Sequence, residues 1–361
     1  WYQNKPKAFH EYRSQWLVRV KDKNHGMVPL NLNVEVTTRC NLACTFCTNT
    51  SLIESQIGDL DIELFEKSLI DLVQSGGLAA VNLNGLGEPT LRKDLEKFII
   101  LSKKHGVLDI MFHTNGTTLT KNISNLLISS GVDRIIVSVD SPDKETYESM
   151  RLIKVSTTKE NKTPNKGFNH ERLIQNTKEL IELRNRVSNS GPMIRTTCVL
   201  TKNTESQLPN YLDMWSKAGS DEVTYQDLSW RDKILDAGVW QNGEKSVIED
   251  KYAVIKSQAI KNEVGFTCPY LYQATWINFN GDIVPCSNPD ARKHMVMGNL
   301  KNNTIVEIWS NKKYQELRKL HEDGLWFKHP ICGKCEKPLV EIYKNEKNLP
   351  TTSKVDVLID R

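Results

Sequence analysis

The sequence predicts an α/β protein: a partial, TIM-like (β/α)6 barrel followed by a small C-terminal domain built from a β-hairpin and a helix. Three observations lead to this prediction. Six short β-rich runs alternate with amphipathic stretches, as in βα units around a parallel sheet. The 361 residues, 39% of them hydrophobic, suffice for a large core with a smaller domain beside it. The eight cysteines fall into groups of three, one and four, a clustering typical of metal ligands in a reducing compartment.

Composition and charge exclude several classes of partner. The 48 basic and 44 acidic residues nearly balance and give a formal net charge of +4, so neither nucleic acid nor a membrane is expected as a partner. No apolar run approaches the length that crosses a bilayer, and no signal-peptide pattern opens the chain. We therefore predict a cytoplasmic protein.

The elements follow one another after an N-terminal arm, whose five aromatic residues we expect to cap the bottom or side of the barrel. A nucleic-acid stacking surface is the alternative for this arm. We predict strands near residues 33 to 38, 80 to 85, 108 to 113, 134 to 140, 193 to 201 and 221 to 226. We predict helices near residues 61 to 75, 91 to 105, 119 to 130, 169 to 188 and 205 to 218. The resulting division is an arm at 1 to 32, a barrel at 33 to 226, a connector at 227 to 267 with a helix at 244 to 262, a cysteine-rich domain at 268 to 340 and a tail at 341 to 361.

Three thiols follow the first predicted strand with the spacing CxxxCxxC: Cys40, Cys44 and Cys47. Thiolates are the ligands that iron–sulfur clusters prefer, and three of them leave one iron of a four-iron cluster without a protein ligand. Barrel active sites lie at this carboxyl end of the strands. A structural zinc site and a disulfide cluster are the alternatives. A structural zinc site requires a fourth ligand nearby, and the nearest downstream histidine, His105, lies far outside the usual ligand spacing.

Polar segments also end the next three strands: GLGEP at 85 to 89, HTNG at 113 to 116 and SVDS at 138 to 141. A polar run at 154 to 166 is expected to be a solvated loop or a lid over the barrel mouth. Cys198 in the fifth strand is expected to be a small buried hydrophobe; if it points into the barrel, it is a candidate hydrogen donor. Asp227, after the sixth strand, is a candidate for substrate contact by position alone.

Four further thiols define a second candidate metal site, which consists of Cys268, Cys286, Cys332 and Cys335. A hairpin with its turn at Gly281 would bring the first two together, and the CxxC segment supplies the other pair. Four thiolates satisfy a structural zinc as well as an iron–sulfur cluster, so spacing alone leaves both open.

The first motif, with Phe46 before its last cysteine, resembles the radical S-adenosylmethionine (SAM) superfamily, and GLGEP resembles that family's GGEP element with Leu86 in place of its first glycine. The resemblance implies a 4Fe-4S cluster on the three thiolates and SAM on the fourth iron. It also implies reductive cleavage of SAM to a 5'-deoxyadenosyl radical that abstracts a substrate hydrogen, with a flavodoxin or ferredoxin as electron donor. The SAM-binding residues implied by the resemblance are Gly87, Glu88 for the SAM ammonium, Ser138, and Arg151 for the SAM carboxylate. Asp140 would face the substrate or cap the next helix.

The C-terminal segments NGDIVPC at 280 to 286, MGN at 297 to 299, IW at 308 to 309 and CGKC at 332 to 335 resemble the SPASM/twitch extension of that superfamily. Because no cysteine follows Cys335, the match is to a twitch domain with one auxiliary 4Fe-4S cluster. Four thiolates leave no open iron, so electron transfer suits this cluster better than substrate ligation. The cysteine pattern resembles that of aminocyclitol dehydrogenases in this subgroup.

These inferences define a leading hypothesis and two alternatives. The leading hypothesis is a radical SAM oxidoreductase that dehydrogenates a polar, sugar-like or aminocyclitol substrate with help from the auxiliary cluster. The first alternative is a peptide-modifying maturase of the same superfamily, with Cys198 as hydrogen donor in an epimerisation. The arm of residues 1 to 32 is too short for a leader-peptide-binding domain, which argues against it. The second alternative is a zinc-stabilised binding module.

Overall fold

A computed structural model describes residues 1 to 154, 170 to 187, 191 to 228, 266 to 335 and 337. The predicted lid, apart from residue 154, lies outside the described residues, as do the predicted connector helix and the C-terminal tail. No helix within the described ranges is long and apolar enough to cross a membrane.

The six predicted barrel strands and five predicted helices are present, with ends displaced by no more than four residues. The strands of the described chain are β1 Asn31–Val34, β2 Leu42–Cys44, β3 Ala80–Leu83, β4 Asp109–Thr114, β5 Arg134–Ser138, β6 Arg151–Ile153, β7 Met193–Leu200, β8 Glu222–Asp227, β9 Ala274–Ile277, β10 Asp282–Val284 and β11 Gly298–Asn299. Its α-helices are α1 Lys7–Lys21, α2 Ile62–Gln74, α3 Leu95–Lys104, α4 Lys121–Ser129, α5 Lys144–Met150, α6 His170–Arg186, α7 Leu208–Ala218, α8 Tyr270–Gln273, α9 Pro289–His294, α10 Ile305–Trp309 and α11 Lys312–Glu322.

The six parallel strands β1, β3, β4, β5, β7 and β8 lie side by side in that order, each joined to the next through at least one helix. This arrangement confirms the predicted (β/α)6 fold. Alternate side chains along each strand face the helices and pack into one apolar cluster that runs through the sheet and the helix layer. The remaining side chains face inward. Strand ends therefore place polar residues at one mouth of the barrel.

The N-terminal arm packs against the opposite end of the barrel. Phe9 and Tyr12 of α1 are buried against Leu30 and Ala80, at the amino ends of β1 and β3. Lys5 anchors the arm by an ion pair with the buried carboxylate of Asp133, at 2.5 Å. The aromatics thus close the bottom of the barrel, as the favoured interpretation of the sequence predicts.

The C-terminal cysteine-rich segment continues the barrel sheet. Strand β9 lies parallel to β1 on the side away from β3, and β9, β10 and β11 form an antiparallel meander. The predicted hairpin turn is confirmed, with Gly281 at φ 86° in the left-handed region that favours glycine. One nine-stranded sheet therefore runs through both predicted domains, a connection that the local sequence pattern gives no sign of.

Candidate metal centres

The first cysteine motif is held by a two-stranded sheet that the sequence does not reveal. Strand β2 lies within the motif and pairs antiparallel with β6, which places Cys44 opposite Arg151. Two further backbone bonds extend the pairing, from Thr45 N–H to the Met150 carbonyl at 2.9 Å and from Lys154 N–H to the Asn41 carbonyl at 3.0 Å. These bonds tie the motif to the chain that follows the fourth barrel strand.

The three thiols occupy a largely desolvated site. Burial raises the pKa of Cys40, and it raises that of Cys44 to about 12, with contributions from the neighbouring Cys47 and Cys40 and opposed by Arg151. Asn115 donates from Nδ2 towards the Cys40 sulfur at 3.9 Å, and the Asn49 N–H donates to the Cys47 sulfur at 3.5 Å. Hydrogen bonds to sulfur are a recognised means of stabilising thiolate ligands of iron–sulfur clusters.

The GLGEP loop lies beside this motif and requires its glycines. A Cβ on Gly87 would overlap the carbonyl oxygens of Thr37 and Arg39. Asn49, two residues after the last cysteine, donates from Nδ2 to the Leu86 carbonyl at 2.8 Å and to the Thr38 carbonyl at 2.7 Å. The cluster motif and the loop are therefore packed backbone against backbone.

Glu88 is 2% exposed, and its carboxylate accepts four hydrogen bonds from the protein. They come from Thr90 N–H and Oγ1 at 3.1 and 2.5 Å, from Thr114 Oγ1 at 2.8 Å and from Asn115 N–H at 2.6 Å. A carboxylate offers about four acceptor sites, so these bonds nearly fill its capacity. Burial raises its pKa, and the four bonds oppose that shift. Glu88 thus holds the loop to the end of β4, and its contact with SAM stays a prediction.

Arg151 and Asp140 lie together rather than facing separate ligands. They form a buried ion pair, and Asp140 Oδ1 also accepts the Val199 N–H at 2.9 Å. The Arg151 guanidinium lies 5.6 Å from the Phe46 ring centroid, over the cysteine motif. The pair links the carboxyl ends of β5 and β7 to the cysteine motif, while the SAM and substrate roles predicted for these residues remain untested.

The other predicted site residues occupy two different faces of the sheet. Ser138 ends β5 on the inner face, and its hydroxyl makes no hydrogen bond within the described ranges. Asp227 ends β8 opposite Leu200. Cys198, by contrast, is 3% exposed and belongs to the apolar cluster on the helix-facing side. This placement fits the buried-hydrophobe interpretation and argues against the hydrogen-donor role.

The four C-terminal thiols line one cavity, as predicted for the second site. Cys268 precedes α8, Cys286 follows β10, and Cys332 and Cys335 flank a 3₁₀ turn. Burial raises the pKa of Cys268 to about 12, and the neighbouring thiols Cys335 and Cys286 add to that shift. A Cβ on Gly333 would overlap the Phe327 carbonyl, so the CxxC turn requires glycine there.

Four thiolates around one cavity can hold either an iron–sulfur cluster or a zinc ion. No group of three or more His, Cys, Asp or Glu side chains in the described parts of the chain closes around one metal ion. All eight cysteines lie in those parts, and none of them forms a disulfide bond. Because a four-iron cubane is larger than one ion, its thiolate ligands lie further apart than the four ligands of a tetrahedral zinc.

Comparison with known families decides the identity of the first centre. Residues 34 to 214 match the family model of the radical SAM superfamily. The chain belongs to the radical SAM superfamily. Residues 268 to 336 match the SPASM model, described as an iron-sulfur cluster-binding domain. This radical SAM enzyme therefore uses SAM and a 4Fe-4S cluster, for which Cys40, Cys44 and Cys47 are the candidate ligands, and a further cluster in its SPASM domain.

Two curated relatives and two solved structures resemble this radical SAM enzyme over most of its length. A Pyrococcus furiosus protein described as a tungsten-containing aldehyde ferredoxin oxidoreductase cofactor-modifying protein is 24% identical over 84% of this chain and 86% of its own. The S-adenosyl-L-methionine-dependent 2-deoxy-scyllo-inosamine dehydrogenase of Niallia circulans is 20% identical over 86% and 94%. BtrN in complex with AdoMet and 2-DOIA superimposes with a TM-score of 0.52 at 19% identity, over 86% and 94%. Streptococcus suis SuiB bound to precursor peptide SuiA superimposes with 0.60 at 17% identity, over 84% and 70%.

Three residues that hold the GLGEP loop escaped the sequence analysis: Asn49 and Glu35, which bond to Leu86, and Arg292, which pairs with Glu35. Asn49 gave no signal, because its role depends on chain segments that meet only in the fold. Glu35 gave a signal, since it is the one charged residue in the first predicted strand, 33 to 38. A carboxylate on a buried strand should have a partner, which the sequence did not identify.

Replacing the three motif cysteines tests the first centre. The protein reconstituted anaerobically with iron and sulfide should hold two four-iron clusters, one for each cysteine group. The triple change Cys40→Ala, Cys44→Ala and Cys47→Ala should remove about half the iron and all cleavage of SAM, because only this group leaves an iron open to SAM. Iron analysis and detection of 5'-deoxyadenosine measure both. Cys198→Ala is the matched control and should keep both; SAM cleavage by the triple variant would contradict the assignment.

Glu88→Gln tests the buried carboxylate. The glutamine NH2 would face at least one of the four donors that the carboxylate accepts, which should lower the free energy of unfolding by about 1 to 3 kcal/mol. If Glu88 also binds the SAM ammonium, SAM affinity should fall roughly tenfold to a hundredfold, since a charge-assisted bond contributes about 1.5 to 3 kcal/mol. Urea unfolding and equilibrium dialysis measure the two effects, with the exposed Glu63→Gln as control. Reduced stability with unchanged SAM affinity would leave Glu88 only a structural role.

Proposed function

We propose that this radical SAM enzyme dehydrogenates a small, hydroxyl-rich substrate of sugar or aminocyclitol type, and that its auxiliary cluster accepts one electron in that oxidation. The proposal is supported above all by the inner surface of the barrel, which offers buried hydrogen-bond acceptors that have no partner among the described residues. The name of the Niallia circulans relative points to the same substrate class. The structural likenesses support the fold alone.

Strand register arranges the inward-facing side chains in three rows. The deepest row consists of Asn33, Asn82, Met111, Arg134 and Met193. The middle row consists of His113, Ile136, Arg195 and Glu222. The row nearest the mouth consists of Ser138, Thr197 and Thr224. The three rows together line a mainly polar lumen. The interior of a globular protein is more often filled with apolar side chains.

The charges of the lumen compensate one another. Arg195 pairs with Glu222 at 2.6 Å, and Arg134 pairs with the fully buried carboxylate of Asp109. Burial, with help from these two cations, lowers the pKa of His113 to about 3, so its imidazole is neutral at physiological pH. A neutral lumen suits a substrate with hydroxyl groups better than a phosphate or another multiply charged ligand.

Several acceptors of the lumen have no partner within the described residues. Asn82 donates from Nδ2 to Asn33 at 3.0 Å, which leaves its own Oδ1 buried and unpaired, and the Thr224 hydroxyl is also buried and unpaired. His113 is half-buried, and neither ring nitrogen bonds to another described residue. Unpaired buried acceptors destabilise a protein by roughly 1 to 3 kcal/mol each, unless water or a ligand satisfies them. Hydroxyl and ammonium groups of a ligand could donate hydrogen bonds to these acceptors.

The reaction places two demands on the site. The first cluster and SAM, when bound, supply the one-electron chemistry that removes a hydrogen atom from carbon. An alcohol carbon that has lost this hydrogen atom must still lose one electron and its hydroxyl proton to become a carbonyl. The lumen residues would hold that hydroxyl and pass its proton to water, and the four-cysteine centre would receive the electron. An epimerisation instead requires a hydrogen atom to return to carbon, and Cys198, on the helix-facing side, is poorly placed to supply it.

Changing His113 tests the substrate class. His113→Phe keeps an aromatic ring but removes both nitrogens, so binding of a ligand that donates a hydroxyl to the imidazole should weaken about threefold to tenfold. The measurement is calorimetric titration of the SAM-loaded, anaerobic protein with 2-deoxy-scyllo-inosamine and inositols as probes. Met111→Leu, on the same inner face but apolar, is the matched control. Binding of a short peptide in place of every probe, unaffected by His113→Phe, would favour the maturase alternative.

A second experiment tests the direction of the redox step. Cys332→Ala with Cys335→Ala should still cleave SAM yet release no oxidised product, because the electron has no acceptor. Cys198→Ala should turn over normally, and wild-type product made in deuterated water should carry no solvent deuterium at the reacting carbon. Mass spectrometry of product and 5'-deoxyadenosine measures each point. Loss of turnover in Cys198→Ala, with one solvent deuterium in wild-type product, would replace the dehydrogenase by an epimerase.

A further inference from the structure

Glu35 lies one residue beyond β1 and connects three parts of the molecule. Its side chain is 4% exposed and forms a two-pronged ion pair with Arg292 of α9, at 2.5 and 2.8 Å. The same carboxylate accepts the Leu86 N–H at 3.1 Å and the Phe279 N–H at 3.3 Å. Leu86 belongs to the GLGEP loop, whereas Phe279 and Arg292 belong to the iron-sulfur cluster-binding domain.

The bonds to Leu86 form a continuous chain between the two metal centres. On one side, Asn49 of the cysteine motif donates to the Leu86 carbonyl at 2.8 Å. On the other, the Leu86 N–H donates to Glu35, and Glu35 pairs with Arg292, six residues after Cys286. Gly85 lies so close to the Glu35 side chain that a Cβ would overlap it. The position of this loop therefore depends on Glu35, and the orientation of Glu35 depends on Arg292.

We propose that Glu35 and Arg292 are positioning residues that couple SAM binding at the GLGEP loop to docking of the auxiliary-cluster domain. The proposal relies on the SAM-binding role of that loop, and it holds whatever substrate the enzyme uses. A bidentate arginine–carboxylate pair fixes direction as well as distance, and breaking a buried pair leaves an uncompensated charge. Linkage is reciprocal: if the docked domain favours the SAM-binding arrangement of the loop, then bound SAM must favour the docked domain by the same coupling free energy.

The test uses the reconstituted full chain without substrate. Arg292→Gln should weaken SAM binding at least fivefold in equilibrium dialysis, although Arg292 lies on the auxiliary-cluster domain. Lys293→Gln removes the same charge from the adjacent, exposed position of α9 and should bind SAM as the wild type does. Arg292→Lys should recover part of the affinity. The double variant Glu35→Gln with Arg292→Gln should bind SAM no more weakly than the weaker single variant, because both changes break one pair.

A wild-type measurement keeps the test independent of how well the variants fold. Adding SAM to the reconstituted wild type should slow amide hydrogen exchange at least severalfold in α9 and in the β9–β10 hairpin. Both segments are far along the chain from the GLGEP loop, where SAM is proposed to bind. Unchanged exchange there, or equal SAM affinity in Arg292→Gln and Lys293→Gln, would overturn the proposal. Since no substrate is present, neither result depends on the dehydrogenase assignment.

Discussion

The parallel pairing of β1 with β3 on one side and β9 on the other is the constraint on which the rest of the structure depends. It aligns the carboxyl end of β1, where the cysteine motif begins, with the GLGEP loop after β3 and with the hairpin after β9. Backbone bonds continue the pairing beyond the strands, from Glu35 N–H to the Ile277 carbonyl at 2.9 Å and from Asn84 N–H to the Val34 carbonyl at 3.0 Å. Both metal centres are thereby fixed to one sheet.

This arrangement explains how the two centres can serve one reaction. Each group of thiols lies on short segments that have little regular structure of their own. Both groups follow strands of the same nine-stranded sheet, and this shared sheet fixes their positions. The β2–β6 pairing and the Asp140–Arg151 pair hold the first centre, while Gly333 and the CxxC turn shape the second. The lumen of the barrel is mainly polar and its charges compensate one another, which suits the neutral or weakly charged substrate that we propose.

Much of the fold was predictable because the spacing of apolar residues along the chain differs between a strand and a helix. The six βα units, the hairpin turn at Gly281 and the grouping of the cysteines all follow from local residue order. The segment 42 to 44 did not reveal its strand, because a three-residue strand has too few residues to show a period and forms only against β6. For Glu88 the sequence predicts a contact with SAM, which stays a prediction. The structure adds four internal hydrogen bonds from Thr90, Thr114 and Asn115, and the last two of these residues are brought close to Glu88 only by the pairing of β3 with β4.

The sequence by itself determined the family, the cofactors and the seven candidate thiol ligands. The spacing of cysteines within a short segment is a local property, so it can be read without knowing how the rest of the chain folds. Only the tertiary structure decided which side of the sheet Cys198 faces, since a strand directs neighbouring side chains to opposite faces and its register is a property of two strands. The same holds for the lumen rows and for the Glu35–Arg292 pair, whose members lie 257 positions apart. Contacts between such distant residues depend on how the whole sheet assembles, which no local pattern encodes.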